Sequence, residues 1–538
     1  MERIGWTLLI VICAFIALPA CGFAQGSSPC PRPAAGSVVA APPDLFSEHG
    51  VLKVEFDYFT TVDAAGRNLF CFVTPLGEQA PTLHVQPGDT LEITVRNKVP
   101  EPPSGASMER AGSASKQCGA ATMTASSVNI HFHGTNTSPT CHSDEVIHTI
   151  INSGQSFEYS VHFPADEPPG LYWYHPHIHG IAEAAVQGGA SGAIIVEGIA
   201  KLQPAVAGLP ERVLIIRDQN VAGNPTPGGP VPSWDVTLNY IPIPYPSFTP
   251  AIIKMKPGER EFWRVANASA DSIMDLQVKY DGLAQPLQLV AFDGVPIGSQ
   301  DGTRRGTVVT RTDVLIPPAG RAEFILDGPS AKVKSAVFQT LNVDTGPDGD
   351  NDPQRPLAII QATPNVSPLP SAQEPSGPAN PQRFEGLAQA VPTANRQLYF
   401  SEVLSDPSNP ASPTNFYITV DGAPPTLFDP NNPPAITTSQ GSVEDWTIQN
   451  RSGENHEFHI HQNHFLLLAV NGVPVPVEQR QFYDTYQIPY WKGTGPYPSI
   501  TVRMDFRGPD TGDFVYHCHI LGHEDNGMMA IIRVLPRG

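Results

Sequence analysis

"PGDTLEITVRN", Pro87–Asn97, returns twice in the same frame, as "PGEREFWRVAN" (Pro257–Asn267) and "QGSVEDWTIQN" (Gln440–Asn450). In each copy a glycine (Gly88, Gly258, Gly441) stands nine positions before a closing asparagine. Between them the residues alternate with period two, the pattern of a half-buried strand entered from a tight turn. A shorter echo, "AFDGVPI" (Ala291–Ile297) and "AVNGVPV" (Ala469–Val475), links the last two copies again. The glycines lie 170 and 183 residues apart, a domain-sized interval. Three copies at that spacing predict an all-β chain of three related units, each a sandwich of short antiparallel strands.

The chain of 538 residues is 40% hydrophobic and 16% charged, enough apolar material for several cores. Its 46 glycines and 58 prolines suit many turns and stay below the roughly 25–30% typical of low-complexity disorder. The predicted units span residues 25–200, 201–363 and 396–538. The stretch 364–395, rich in Pro, Ser, Ala and Gln and without periodicity, reads as a linker. The formal net charge of −20 makes nucleic acid and anionic membrane surfaces poor partners.

Residues 1–24 read as an export signal. Arg3 precedes the apolar run Trp6–Leu18, too short to span a bilayer at about 20 residues per crossing, and small residues follow in "LPACGFAQG". Cleavage after Ala24 would release a periplasmic or secreted protein. "LPAC" also resembles a lipoprotein site, with Cys21 as the lipid-bearing residue. No later segment is long and apolar enough to span. Of seven cysteines, Cys13 and Cys21 fall in the signal region. Cys30, Cys71, Cys118 and Cys141 form an even set, which in an exported chain predicts two disulfides with three connectivities open. Cys118–Cys141 is the favoured pair, as a brace for the loops around His131.

The 17 histidines are unevenly placed. Residues 180–455 contain none, and twelve gather in "HFHG" (131–134), "HPHIHG" (175–180), "HEFHIHQNH" (456–464) and "HCHILGH" (517–523). Two clusters belong to the first unit and two to the third. In a strand, residues i and i+2 project together, so each H-x-H pair can offer two imidazoles to one place. The pairs are His131/His133, His175/His177, His459/His461 and His517/His519. Cys518 has the opposite parity to its neighbours, as His456 has to His459 and His461. The third unit is therefore expected to hold two sites back to back. One has Cys518 and His456, with His523 and Met528 from the following loop. Two imidazoles, a thiolate and a weak thioether suit copper better than zinc, which usually draws on paired cysteines.

Together the four clusters resemble, in order, the copper motifs of the three-domain multicopper oxidases, H-x-H-G, H-x-H, H-x-x-H-x-H and H-C-H-x₃-H-x₄-M. "HCHILGHEDNGMM" is similar to the exported bacterial branch that includes laccase-like and copper-tolerance enzymes. The resemblance implies three cupredoxin-like Greek-key β-sandwich domains and four copper ions. His456, Cys518 and His523 would hold the type 1 copper, with Met528 axial. His131 and His459 would hold the type 2 copper, and His133, His175, His177, His461, His517 and His519 the type 3 pair. It implies one-electron oxidations at the type 1 site and reduction of dioxygen to water at the others, in a chain that suffices as a monomer. Protons would come from Asp144, or its neighbour Glu145, and from Glu524. His179 and His464 are expected beside ligands or at the surface, and His49, His84, His142, His148 and His162 have no assigned role.

A small phenol or aromatic amine is the expected reductant. The alternative is a metal ion, cuprous, ferrous or manganous. Only 8 methionines occur, with no cluster before Met528, which weighs against cuprous ion. Ferrous ion would need acids near His456 and His523, for which Glu454 and Glu457 are candidates. The middle unit or the Tyr490–Tyr497 loop would shape the reductant's pocket. Two further readings are a copper-binding or structural family member without catalysis, disfavoured because every ligand position is filled, and a copper nitrite reductase, disfavoured because such proteins generally have two domains and lack the full set of four H-x-H pairs.

Overall fold

The three repeated segments form the strands Thr90–Asn97, Arg260–Asn267 and Val443–Asn450 in a computed structural model that describes residues 28–101, 118–119, 122–298, 306–371, 382–409 and 411–538. The export segment, Cys21 and residues 372–381 of the 364–395 stretch lie outside the described residues. Each repeated strand has the same neighbours. Thr90–Asn97 runs parallel to Val51–Val62 and antiparallel to Ser156–His162. Arg260–Asn267 lies in the same way between Glu211–Asn220 and Arg321–Asp327, and Val443–Asn450 between Ala394–Leu404 and Ser499–Asp505.

The closing asparagine has one job in all three copies. Asn97 Nδ2 donates to the carbonyls of Ser126 and Ile151, Asn267 Nδ2 to those of Ser272 and Ile316, and Asn450 Nδ2 to those of Glu454 and Ile488. Its Oδ1 accepts from the backbone N–H two residues on, at Val99, Ser269 or Ser452. A buried primary amide can satisfy several otherwise stranded backbone groups at once, which is why the residue recurs where the strand leaves the sheet.

Among the described residues the strands form six sheets, of four and five, eight and six, and seven and five strands. They enclose three large apolar cores, around Phe56 and Tyr174, around Trp263 and Phe338, and around Trp446 and Phe458. The expected alternation holds in Thr90–Asn97 but not in Arg260–Asn267, which is buried on both faces. The reason is tertiary. Leu171, Trp173 and Ile195 of the first sandwich pack on Val213, Ile215 and Ala266 of the second, so a face that would meet water is covered. The described end of the 364–395 stretch is likewise packed, with Phe384 and Leu387 against Val443, Leu466 and Phe482.

Cys30 pairs with Cys71 and Cys118 with Cys141, two cross-links of the kind that form in an oxidising compartment. Cys518 is the free cysteine among the described residues, and it is buried. No helix among them is long and apolar enough to cross a membrane.

Candidate metal centre

His131 and His133 stand on the short strand His131–His133, antiparallel to Gly170–His175 with His131 opposite His175. Phe132 turns the other way, into the first core. In the third unit His456–Ile460 pairs with Gly512–Cys518, so that His459 faces His517 and Phe458 faces Cys518. The alternation thus places two sets of side chains on opposite faces of one sheet.

On one face, histidines from both ends of the chain meet. The rings of His131 and His461 stack with centroids 3.8 Å apart, and those of His133 and His459 with centroids 4.1 Å apart. Potential ligand atoms within 4.8 Å of one another occur in the groups His131/His133/His459, His133/His175/His519 and His177/His461/His517. In the last, the three Nε2 atoms are 3.2, 3.2 and 3.3 Å apart. On the other face, Cys518 Sγ lies 3.6 Å from His456 Nδ1 and 3.7 Å from His523 Nδ1, and those nitrogens are 3.1 Å apart. The Glu457 N–H donates to the sulfur. Met528 is buried in the same core cluster.

Multicopper oxidase family profiles match residues 120–201 and 407–538, the segments that carry these histidines. Those two segments are multicopper oxidase domains. A multicopper oxidase of Staphylococcus haemolyticus is 22% identical over 459 residues, covering 84% of this chain and 81% of that one. A laccase of Bacillus subtilis is 24% identical over 410 residues, covering 68% and 71%. The solved structure of a Campylobacter jejuni multicopper oxidase described as a metallo-oxidase superposes with a TM-score of 0.65 at 22% identity, covering 95% of this chain and 97% of that one. The two domains make this chain a copper-dependent oxidoreductase that uses dioxygen.

The residues present fit copper. Three metal–nitrogen bonds of roughly 2.0–2.1 Å spread in a plane hold their nitrogens about 3.5 Å apart, close to the spacings above. Nδ1 of His175, His459 and His517 donates to the carbonyls of Pro176, Asp484 and Cys518, and that of His131 meets Asp144 Oδ1 at 3.0 Å. Nε2 is thereby left bare, and on His131, His175 and His459 it has no hydrogen-bond partner. Burial, reinforced by neighbouring imidazoles, drives His131, His133, His459, His461 and His519 well below the usual histidine range, so they present neutral lone pairs. Burial would raise the Cys518 thiol, but hydrogen bonding and charge from His456 and His523 outweigh it and bring it down to about 6. A thiolate beside two imidazoles and a thioether is a copper donor set.

Asp144 and Glu524 are both buried, and burial holds both carboxyls well above the usual range. Asp144 touches His131 and accepts from Gln462 Nε2 and the Phe132 N–H. Its neighbour Glu145 turns away to His148 and Thr149. Glu524, on the short helix Leu521–Asp525, lies 3.3 Å from His517 Nδ1 and 3.7 Å from His177 Nδ1. His464 is fully buried, with Nε2 on the Asp293 carbonyl, while His84 pairs with Asp44 and Glu197 at a distance from the site. Glu457 is buried rather than at the reductant's edge.

Of the two acids expected near His456 and His523, Glu454 is there, and the structure adds others. His523 Nε2 meets Glu454 Oε1 at 3.3 Å, and His456 Nε2 meets Glu402 Oε1 at 3.2 Å. A cavity of about 10 Å³ touching His523 is lined by Asp271, Asp350, Asp352 and Glu454. Burial, then the charges of Glu183, Asp218 and Asp350, raise Asp271 well above its usual range, and Asp352 is raised to about 7 by burial first. The acidic loop "DTGPDGDND" (344–352) supplies two of these four acids, a composition visible in the sequence although its position was not.

Proposed function

We propose that this multicopper oxidase takes its electrons from a small, hard metal cation, ferrous or manganous ion, at the His523 edge. The observation that carries this reading is the lining of that edge. Four acidic residues line a cavity with room for one small ion and none for an aromatic ring. Oxygen ligands suit hard divalent ions, whereas cuprous ion prefers sulfur, and Met528 is committed to the core. A cation would also offset the charges of Glu183, Asp218 and Asp350, which after burial raise Asp271.

In this reading the units keep the boundaries expected from the repeats, and four coppers are held. His456, Cys518, His523 and Met528 hold one, His131 and His459 the second, His133, His175 and His519 the third, and His177, His461 and His517 the fourth. Copper bound there supplies one-electron acceptance at the sulfur site and four-electron reduction of dioxygen at the histidine cage. Cys518 links the two faces, since its sulfur is one residue from both His517 and His519. Glu454 orients His523 and draws the cation to it. Asp144 and Glu524, kept protonated by burial, hold protons beside His131 and His517 for release as water forms. Export to the periplasm or beyond belongs to the same reading.

An aromatic reductant is the second reading, supported by a cavity of about 750 Å³ between the middle and third units. It carries Phe292, Tyr483 and Tyr486 and reaches Asn455, the neighbour of His456. Oxygen uptake by the copper-loaded protein decides between them, measured with ferrous, manganous and cuprous ions and with a phenolic dye, alongside copper per chain. Uptake with ferrous or manganous ion at lower KM than with the dye supports the first reading. Uptake with the dye alone would overturn it.

A further inference from the structure

The middle unit has no histidine, yet its Arg321 is wholly buried against the histidine cage. Nη1 donates to Asp484 Oδ1 at 2.8 Å and Nη2 pairs with Asp484 Oδ2, a two-point ion pair. Nε donates to the Leu171 carbonyl of the first unit and Nη1 also to the carbonyl of Ala319. Asp484 passes this constraint on. Its Oδ1 lies 3.2 Å from His133 Nε2 and accepts from Thr485 Oγ1, and its backbone carbonyl holds His459 Nδ1 at 2.8 Å. One guanidinium is therefore one residue removed from ligands contributed by both other units.

The internal repeat shows that this arrangement is particular to the middle unit. "AFDGVPI" and "AVNGVPV" form the same hairpin turn, with positive φ at Asp293 and Gly294 and at Asn471 and Gly472. In both, the side-chain Oδ1 accepts from the first N–H of the facing strand, Arg321 in one and Ser499 in the other. Where the third unit has a serine the middle unit has the buried arginine. Where the third unit has Asn471, Asp293 uses its second oxygen to accept from the N–H groups of Asp484 and Thr485. The glycine of "HFHG" belongs to the same arrangement. A Cβ on Gly134 would collide with Arg321 Nη2 and Asp484 Oδ2, so the motif's fourth residue makes room for the ion pair.

We propose that Arg321 is a positioning residue for the oxygen-reducing copper cage. Through Asp484 it fixes the orientation of His133 and His459, and so makes copper retention there depend on a unit that supplies no ligand. This rests on the ligand assignment given above. Residues that orient metal ligands typically change metal affinity by 10–100-fold when lost. A lysine keeps the charge but cannot form the two-point fork.

The test uses the full copper-loaded chain and its Arg321→Lys and Arg321→Met variants, dialysed against a graded copper chelator. Copper per chain, the type 2 signal in electron paramagnetic resonance and the blue absorption of the Cys518 site are followed. The expected result is a 10–100-fold weaker hold on cage copper, with the type 2 signal lost first and the blue band unmoved, and Arg321→Lys less affected than Arg321→Met. Variants that keep cage copper as tightly as the parent, or that lose both signals in proportion, would overturn the proposal. Should Arg321→Met not fold, Arg321→Lys carries the same two outcomes. A parent without a type 2 signal would instead overturn the ligand assignment on which the proposal rests.

Discussion

Replacing Glu454 by glutamine removes one of four carboxylates around His523 while keeping its shape and its hydrogen-bonding capacity. The effect on a dication can be bounded from Coulomb's law. One lost charge at about 5 Å from a doubly charged ion is worth about 1.7 kcal/mol even at the dielectric constant of water, and about four times that at an effective constant of 20. Glu454 is only 8% exposed, so the water figure is a floor. It corresponds to roughly 15- to 20-fold in KM for ferrous ion. The assay is steady-state oxygen uptake against ferrous ion at constant ionic strength, with a phenolic dye as the control reductant. The dye bears no positive charge and gains nothing from the carboxylate, so its KM should change less than about threefold. An unchanged ferrous KM, or equal changes for both reductants, would refute the reasoning that the acids recruit a cation.

Three other outcomes are expected. Cys518→Ser should abolish the blue absorption and the oxidation of every reductant while copper remains at the cage on the opposite face, and a retained blue band would contradict the ligand set. Replacing Cys118 and Cys141 together by serine opens a loop with a sequence separation of 23 and should cost about 3 kcal/mol in a urea titration. Burial raises Glu167 to about 7, against roughly 4.3 in an unfolded chain. The folded state therefore binds this proton more tightly, and the stability it contributes is full below about pH 4.3 and lost as the pH rises through 7. Glu167→Gln should gain on the parent between pH 5 and pH 8, by up to about 4 kcal/mol, and parallel stability curves would contradict this.

The repeat around Asn97, Asn267 and Asn450 was legible because it has a local cause. A buried amide that closes a strand must be asparagine wherever the same backbone exit occurs, so the three units announce themselves. The H-x-H pairs and the parity of Cys518 were legible for a similar reason, since strand geometry alone sends alternate side chains to opposite faces. Of the acids around His523 only Glu454 was legible, from its closeness in sequence to His456, because Asp271, Asp350 and Asp352 come from another unit and only packing brings them there. Arg321 gave no signal either. An arginine at the start of a strand is ordinarily a solvated charge, and its burial against Asp484 depends on where the first and third sandwiches meet the second. Local pattern thus determined which atoms could bind metal and on which face of each strand they stand. The contacts among the three sandwiches decided which acids line the His523 edge and what holds Asp484 beside His133 and His459, because charge and burial depend on neighbours distant in the chain.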